Sequence, residues 1–248
     1  MVPPRNPSLA RGVVKAVVCL PTYNERENLE RILLALRDKG VSVLVIDDNS
    51  PDGTGELADR LAAELDHVQV LHRERKEGLG PAYLAGFRRA LADGAELVLE
   101  MDADFSHDPA DVPRLIRGTS DAEVVLGSRY VVGGSIANWG RVRRFVSAGG
   151  SLYARSVLGV PVRDLTGGFK CYRREVLEAF DLDAITSRGY AFQIETTYRA
   201  LRAGFRVLEV PITFADREHG GSKMSRAIVL EAIWKVPALR LRALTGRL

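Results

Sequence analysis

The chain has 248 residues, of which 46% are hydrophobic and 27% charged, the balance of a globular protein long enough for one α/β domain with a proper core. No apolar run reaches the ~18 residues of a membrane-spanning helix, and Met1 to Gly12, with Pro3, Pro4, Arg5 and Pro7, lacks the apolar segment of a secretory signal. The net charge is +3, but Lys223, Arg226, Lys235, Arg240, Arg242 and Arg247 stand against Glu231 alone at the C-terminus. That local +5 leaves −2 for the rest and suggests a basic tail meeting an anionic surface.

Residues 1–12 read as a disordered tail. Beyond them, apolar β-branched runs at Val14 to Leu20, Val41 to Asp47, Val68 to Leu71, Glu96 to Met101 and Val124 to Gly127 predict strands, with amphipathic helical patterns between them. Near-continuous apolar strands separated by helices imply a mainly parallel sheet covered on both faces, and ligands in such sheets bind beyond the carboxyl ends of the strands. Three of those ends carry unusual residues: Pro21-Thr22-Tyr23-Asn24-Glu25, Asp47-Asp48-Asn49-Ser50-Pro51-Asp52-Gly53-Thr54, and Asp102-Ala103-Asp104. Cys19, inside a strand, and Cys171 read as buried and reduced, which fits a cytosolic compartment.

Each rim segment has a plain structural use, since Asn24 or Asn28 can cap a helix and Ser50-Pro51-Asp52-Gly53 is a good turn with Asp52 or Thr54 as a cap. Together they make one nucleotide site. Tyr23 offers a face to a base, Asp48 can accept from a base or ribose edge, and Asp102 with Asp104 can hold a divalent cation at a diphosphate. Hard cations such as Mg2+ or Mn2+ take oxygen ligands and bridge one or two carboxylates to substrate phosphates. Gly78-Leu79-Gly80 is not a dinucleotide fingerprint, because Tyr83 stands where the third glycine belongs, and no phosphate-binding G-x-x-x-x-G-K-S/T loop exists. His67, His72, His107 and His219 lack zinc spacing, so His107 reads as a loop residue.

From about Val14 onward the chain resembles the family 2 glycosyltransferases of the dolichyl or polyprenyl phosphate mannose synthase type. The resemblance rests on Pro21 to Glu25, Ile46 to Thr54, Met101 to His107 and Gly127-Ser128-Arg129-Tyr130. It extends to Asp164 to Phe169, Gly189 to Glu195 and Asp216 to Lys223. It implies a GT-A fold over residues 13–222, a GDP-mannose donor, Mg2+ or Mn2+, and transfer with inversion to a polyprenyl monophosphate. It places Pro21, Tyr23, Glu25, Ile46 and Asp48 at the nucleoside, Asp102, Ala103 and Asp104 at donor and metal, and Arg129, Arg217 and Lys223 around the phosphates. Of these, Asp104, Arg129, Arg217 and Lys223 are the expected catalytic groups. Arg143 and Ser147 match acceptor-phosphate positions, and Ser106 stands where some relatives have Gln.

Physical chemistry supports the same acceptor independently. A phosphomonoester has its second pKa near 6 and is largely dianionic at neutral pH, so no dedicated base is needed; positive charge is. Gly140-Arg141-Val142-Arg143-Arg144 and the loop with Arg217 and Lys223 fit that need. Residues 223–248 predict a basic amphipathic helix kinked at Pro237, either lying in a membrane interface or packed on the domain. The expected setting is the cytosolic face of a membrane, with or without a separate anchoring protein. A polyprenyl phosphate glucosyltransferase using UDP-glucose is the nearest enzyme alternative. Nucleic-acid binding does not fit, despite a pI near 8.9, because no interleaved aromatic and basic platform exists.

Overall fold

A computed structural model describes residues 14–216, 226–246 and 248; the expected disordered tail lies outside them. The elements run β1 (Ala16–Thr22), α1 (Arg26–Leu36), β2 (Ser42–Asp47), α2 (Thr54–Glu64), β3 (Val68–His72), α3 (Leu79–Ala92), β4 (Leu97–Glu100), α4 (Val112–Gly118) and β5 (Val124–Ser128). They continue with β6 (Ser135–Ile136), α5 (Arg141–Leu158), β7 (Lys170–Arg173), α6 (Arg174–Glu178), α7 (Gly189–Arg202), β8 (Val207–Pro211), β9 (Thr213–Phe214) and α8 (Arg226–Leu244). All five predicted strands form, within a few residues of their expected ends.

The main sheet has the order β3-β2-β1-β4-β7-β5-β8, parallel throughout except β7, which runs antiparallel to both β4 and β5. β6 and β9 form a separate parallel pair. Alternation along β1 divides the core: Val18 and Leu20 face the apolar stripe of α1 (Leu29, Ile32, Leu33, Leu36), while Val17 and Cys19 face Tyr83 and Phe87 of α3. The chain winds outward from β1 to β2 and β3, then returns to lay β4 on the other side of β1. That reversal opens a crevice at the carboxyl ends of β1 and β4, the usual ligand position in such sheets.

A third core joins α5, α7 and α8 through Ala154, Leu158, Ile194, Tyr198, Val236, Leu239 and Ala243. The basic C-terminal helix is therefore packed on the domain. It continues through Pro237, whose missing N–H strips the Ile233 carbonyl of its helical partner. The Tyr153 hydroxyl of α5 donates to that carbonyl at 2.9 Å. Arg240 is likewise engaged, donating from Nη1 to the Leu158 carbonyl at the end of α5 (2.6 Å).

Candidate active site

The crevice is a cavity of about 620 Å³. Pro21, Thr22, Tyr23, Glu25 and Asp48 line one end, Asp102, Ala103 and Asp104 the floor, and Arg129, Trp139, Arg143 and Phe214 the far wall. Most of the expected donor residues thus converge. Ile46 is the exception, because its side chain points into the α3 side of the core, where any Cβ on Gly86 would run into it. Ser147 does not line the cavity but stands one helical turn beyond Arg143 and accepts from the Tyr130 hydroxyl at 2.8 Å. Arg217 and Lys223 lie outside the described residues.

The nucleoside end is built by cross-bracing. The Glu25 amide donates to Thr54 Oγ1 (3.1 Å), and Asp52 accepts from both the amide and the hydroxyl of Thr54 at the start of α2. Burial pushes the Asp52 carboxyl upward, but the hydrogen bonds from Thr54, the Arg26 amide and its own backbone together outweigh it and hold the group below its ordinary range. Asp48 pairs with Arg73 and accepts the amides of Glu77 and Gly78, both at 3.2 Å. Three of its roughly four lone-pair sites thus staple the 73–78 loop over the pocket rather than standing open for a base. Lys76 from that loop sits 3.6 Å from the Tyr23 ring centre, covering one aromatic face.

At the floor, Asp102 is half-buried and Asp104 is only 4% exposed, so the second acid is less water-facing than a loop position implies. Asp104 accepts the amide and the hydroxyl of Ser106, around Phe105 in a left-handed conformation. The Asp102 amide donates to His107 Nδ1 (3.1 Å). His107 is buried against Phe169 and Phe214, and burial lowers its pKa to about 4, so it is a neutral buttress whose Nδ1 is already engaged. No cluster of three or more His, Cys, Asp or Glu side chains able to hold a metal exists among the described residues. Two adjoining carboxylates on a cavity floor nevertheless fit a hard cation that takes its other ligands from substrate phosphates and water.

Beneath the floor, Lys170 Nζ donates to the Gln193 carbonyl (2.9 Å), to Gln193 Oε1 (2.5 Å) and to Thr196 Oγ1 (3.1 Å), while Tyr172 donates to Glu100 (3.0 Å). Burial lowers the Lys170 pKa to about 8 and raises that of Glu100, each charge partly restoring the other. At the far wall Arg129 is 5% exposed and gripped by Asp164, from Nε at 2.8 Å and Nη2 at 2.6 Å, with Thr166 at 2.8 Å. Burial opposes its charge, yet Asp164 holds the guanidinium pKa above its ordinary value. Those bonds use three of its five N–H donors; the two on Nη1 have no hydrogen bond among the described residues.

The sequence profile of Glycosyl transferase family 2 matches residues 17–180. The chain belongs to that family. Among curated relatives, the undecaprenyl-phosphate mannosyltransferase of Micrococcus luteus is 50% identical over 93% of this chain and 96% of its own. The polyprenol monophosphomannose synthase of Mycolicibacterium smegmatis is 49% identical over 98% and 92%. Two solved structures share the GT-A fold at low identity. Glucosyl-3-phosphoglycerate synthase from Mycobacterium tuberculosis, with Mn2+, UDP-glucose and phosphoglyceric acid, superposes with a TM-score of 0.66 at 22% identity, covering 92% of this chain and 80% of that one. A Pyrobaculum calidifontis mannosyltransferase, with GDP-mannose and Mn2+, gives 0.57 at 17% identity, covering 94% and 74%.

Several residues of this family 2 site escape the rim motifs. Lys76, Glu77, Trp139, Arg188, Phe214 and Glu231 all line the cavity. Gly78-Leu79-Gly80 marks the point where the 73–78 loop gives way to α3, although not as a fingerprint. Gln193 falls inside a quoted motif, whereas Trp139 carries no local signal. Glu231 reaches the cavity from α8 and accepts the Arg188 amide (3.2 Å), so the C-terminal helix helps to start α7.

Proposed function

We propose that this glycosyltransferase moves mannose from GDP-mannose to a polyprenyl monophosphate, inverting the anomeric carbon. The observation that carries the reading is the joining, in one cavity, of an acidic floor suited to a nucleoside diphosphate and an arginine-bearing wall suited to a second anion. The near-full-length match to two relatives named for this chemistry supports it. The acceptor phosphate attacks the anomeric carbon as the bond to the departing diphosphate breaks; the acceptor oxygen arrives already deprotonated, so no side chain need take a proton. Arg129, which the resemblance groups with the donor phosphates, is assigned here to the shared wall: its Nη1 and Arg143 hold and orient the incoming phosphate, while Pro21, Tyr23, Glu25 and the loop stapled by Asp48 hold the nucleoside. Asp102 and Asp104 would bind Mg2+ or Mn2+, which supplies positive charge to the diphosphate. Arg217 and Lys223 are proposed to add to that charge.

Arg143→Ala tests the assignment of the walls. It is expected to raise the acceptor KM by about tenfold or more and leave the donor KM within about twofold, as for a lost charge-assisted phosphate contact. Steady-state kinetics with each substrate varied in turn checks this, and equal effects on both KM values contradict it.

The lipid acceptor calls for a membrane-facing surface. Among the described residues no helix is long and apolar enough to cross a bilayer. However, α5 exposes Phe145 (81%) and Leu152 (62%), and α8 exposes Trp234 (77%), Leu241 (63%) and Leu244 (69%). We infer that these exposed side chains form a face that meets an anionic leaflet, with Arg242 of α8 among its basic residues. Arg240, engaged with α5, contributes to packing instead. Trp234→Ser with Arg242→Gln should cut binding to phosphatidylglycerol vesicles by about tenfold in sedimentation assays, while turnover of a short water-soluble acceptor changes little. Undiminished vesicle binding rules this face out.

A further inference from the structure

We propose that Trp139 is the positioning residue for Arg143: its indole is the platform that fixes this guanidinium in the orientation that receives the acceptor phosphate. The inference rests on the mannosyltransferase reading and concerns the same wall. Arg143 lies in the first turn of α5 with its side chain 31% exposed, and a free arginine there would sample many rotamers. Instead its guanidinium carbon lies 3.9 Å from the Trp139 ring centre, well inside cation–π range. Asp216 holds the Nη1 end at 2.8 Å. Face and edge are therefore both constrained.

The platform is itself immobilised. Asn138 takes a left-handed φ of 58°, which Asn tolerates better than most residues, and the turn sets Trp139 inward at 6% exposure. Phe214 of β9 meets the indole edge-on at 5.3 Å and 76°, and the pairing of β9 with β6 ties that contact to the segment leading to Trp139. The indole Nε1–H has no hydrogen-bond partner among the described residues, so the residue is retained there without a polar anchor and holds its place by its ring. The Arg129 guanidinium lies 5.9 Å from the same ring. One indole thus brings two cations to one wall, each neutralised by its own carboxylate, Asp164 or Asp216. An entering dianionic phosphate finds both guanidinium groups already oriented, so less ordering opposes binding.

Kinetics of the full chain with GDP-mannose and a short polyprenyl phosphate tests this. Trp139→Leu should raise the acceptor KM about tenfold with the donor KM within about twofold, and Trp139→Phe, which keeps a flat face, should recover most of that loss. Arg143→Lys keeps the charge, loses the planar group and leaves Trp139 in place; it should raise the acceptor KM about as much. The Trp139→Leu/Arg143→Lys double variant should be little worse than either single change, since both remove one stack. An unchanged acceptor KM in Trp139→Leu, equal shifts in both KM values, or full additivity overturns the proposal. If Trp139→Leu fails to fold, Arg143→Lys alone decides: a wild-type acceptor KM overturns the proposal. If Arg143→Ala leaves the acceptor KM untouched, the reading of the wall is at fault, not the platform.

Discussion

Asp104→Asn is expected to lower kcat by about 10²- to 10³-fold in a protein that remains folded, the scale typical of removing one pre-organised electrostatic group from an active site. Asn is the informative replacement because Asp104 Oδ1 accepts the amide and hydroxyl of Ser106, and an amide oxygen in the same place preserves both bonds. The loop around Phe105 keeps its shape while the floor loses a charge. Mn2+ titration by calorimetry should weaken in parallel, because two carboxylates become one. Near-normal turnover together with unchanged Mn2+ affinity would remove Asp104 from the site.

Asp164→Asn, behind the cavity wall, should destabilise the fold by about 3–5 kcal/mol, because it leaves Arg129 buried with an uncompensated charge. Asp164 is fully buried and takes the Arg129 backbone amide at 2.9 Å in addition to the two side-chain bonds. Its own amide is held by Glu209 at 3.0 Å, which anchors the 159–169 loop to β8. Urea unfolding measures the loss. The double change Arg129→Met with Asp164→Leu should recover much of the stability, since a buried pair replaced by apolar groups of similar volume costs little, yet it should remain inactive because the Nη1 donors are gone. Recovery of both stability and turnover would mean that the pair serves the fold alone.

That pair marks where sequence and structure part. The first five strands and their order along the chain are legible because they are apolar and β-branched, and the rim acids because they follow such runs. β7 is not, since it opens on Lys170, a charged residue at a fully buried position held by Gln193 and Thr196. Its antiparallel insertion between β4 and β5 is a tertiary event with no period to betray it. Residue type alone cannot distinguish an arginine offered to a ligand from one bound to Asp164, and Arg129 is both, with three donors committed and two left. Ile46 sits in a motif that resembles the family's nucleoside contacts, but its alternation along β2 sends it to the core. Trp139 and Phe214, far apart along the chain, meet only because β6 pairs with β9.

The most direct test offers the purified 248-residue chain a short polyprenyl phosphate with radiolabelled GDP-mannose or UDP-glucose, each with Mn2+ and with chelator, and follows label into the lipid phase. Lipid-linked mannose from GDP-mannose, dependent on the added metal, is the expected product, with little or no lipid-linked glucose. Preferential transfer of glucose from UDP-glucose, or lipid-linked mannose formed equally well in the presence of chelator, would contradict the mannosyltransferase reading.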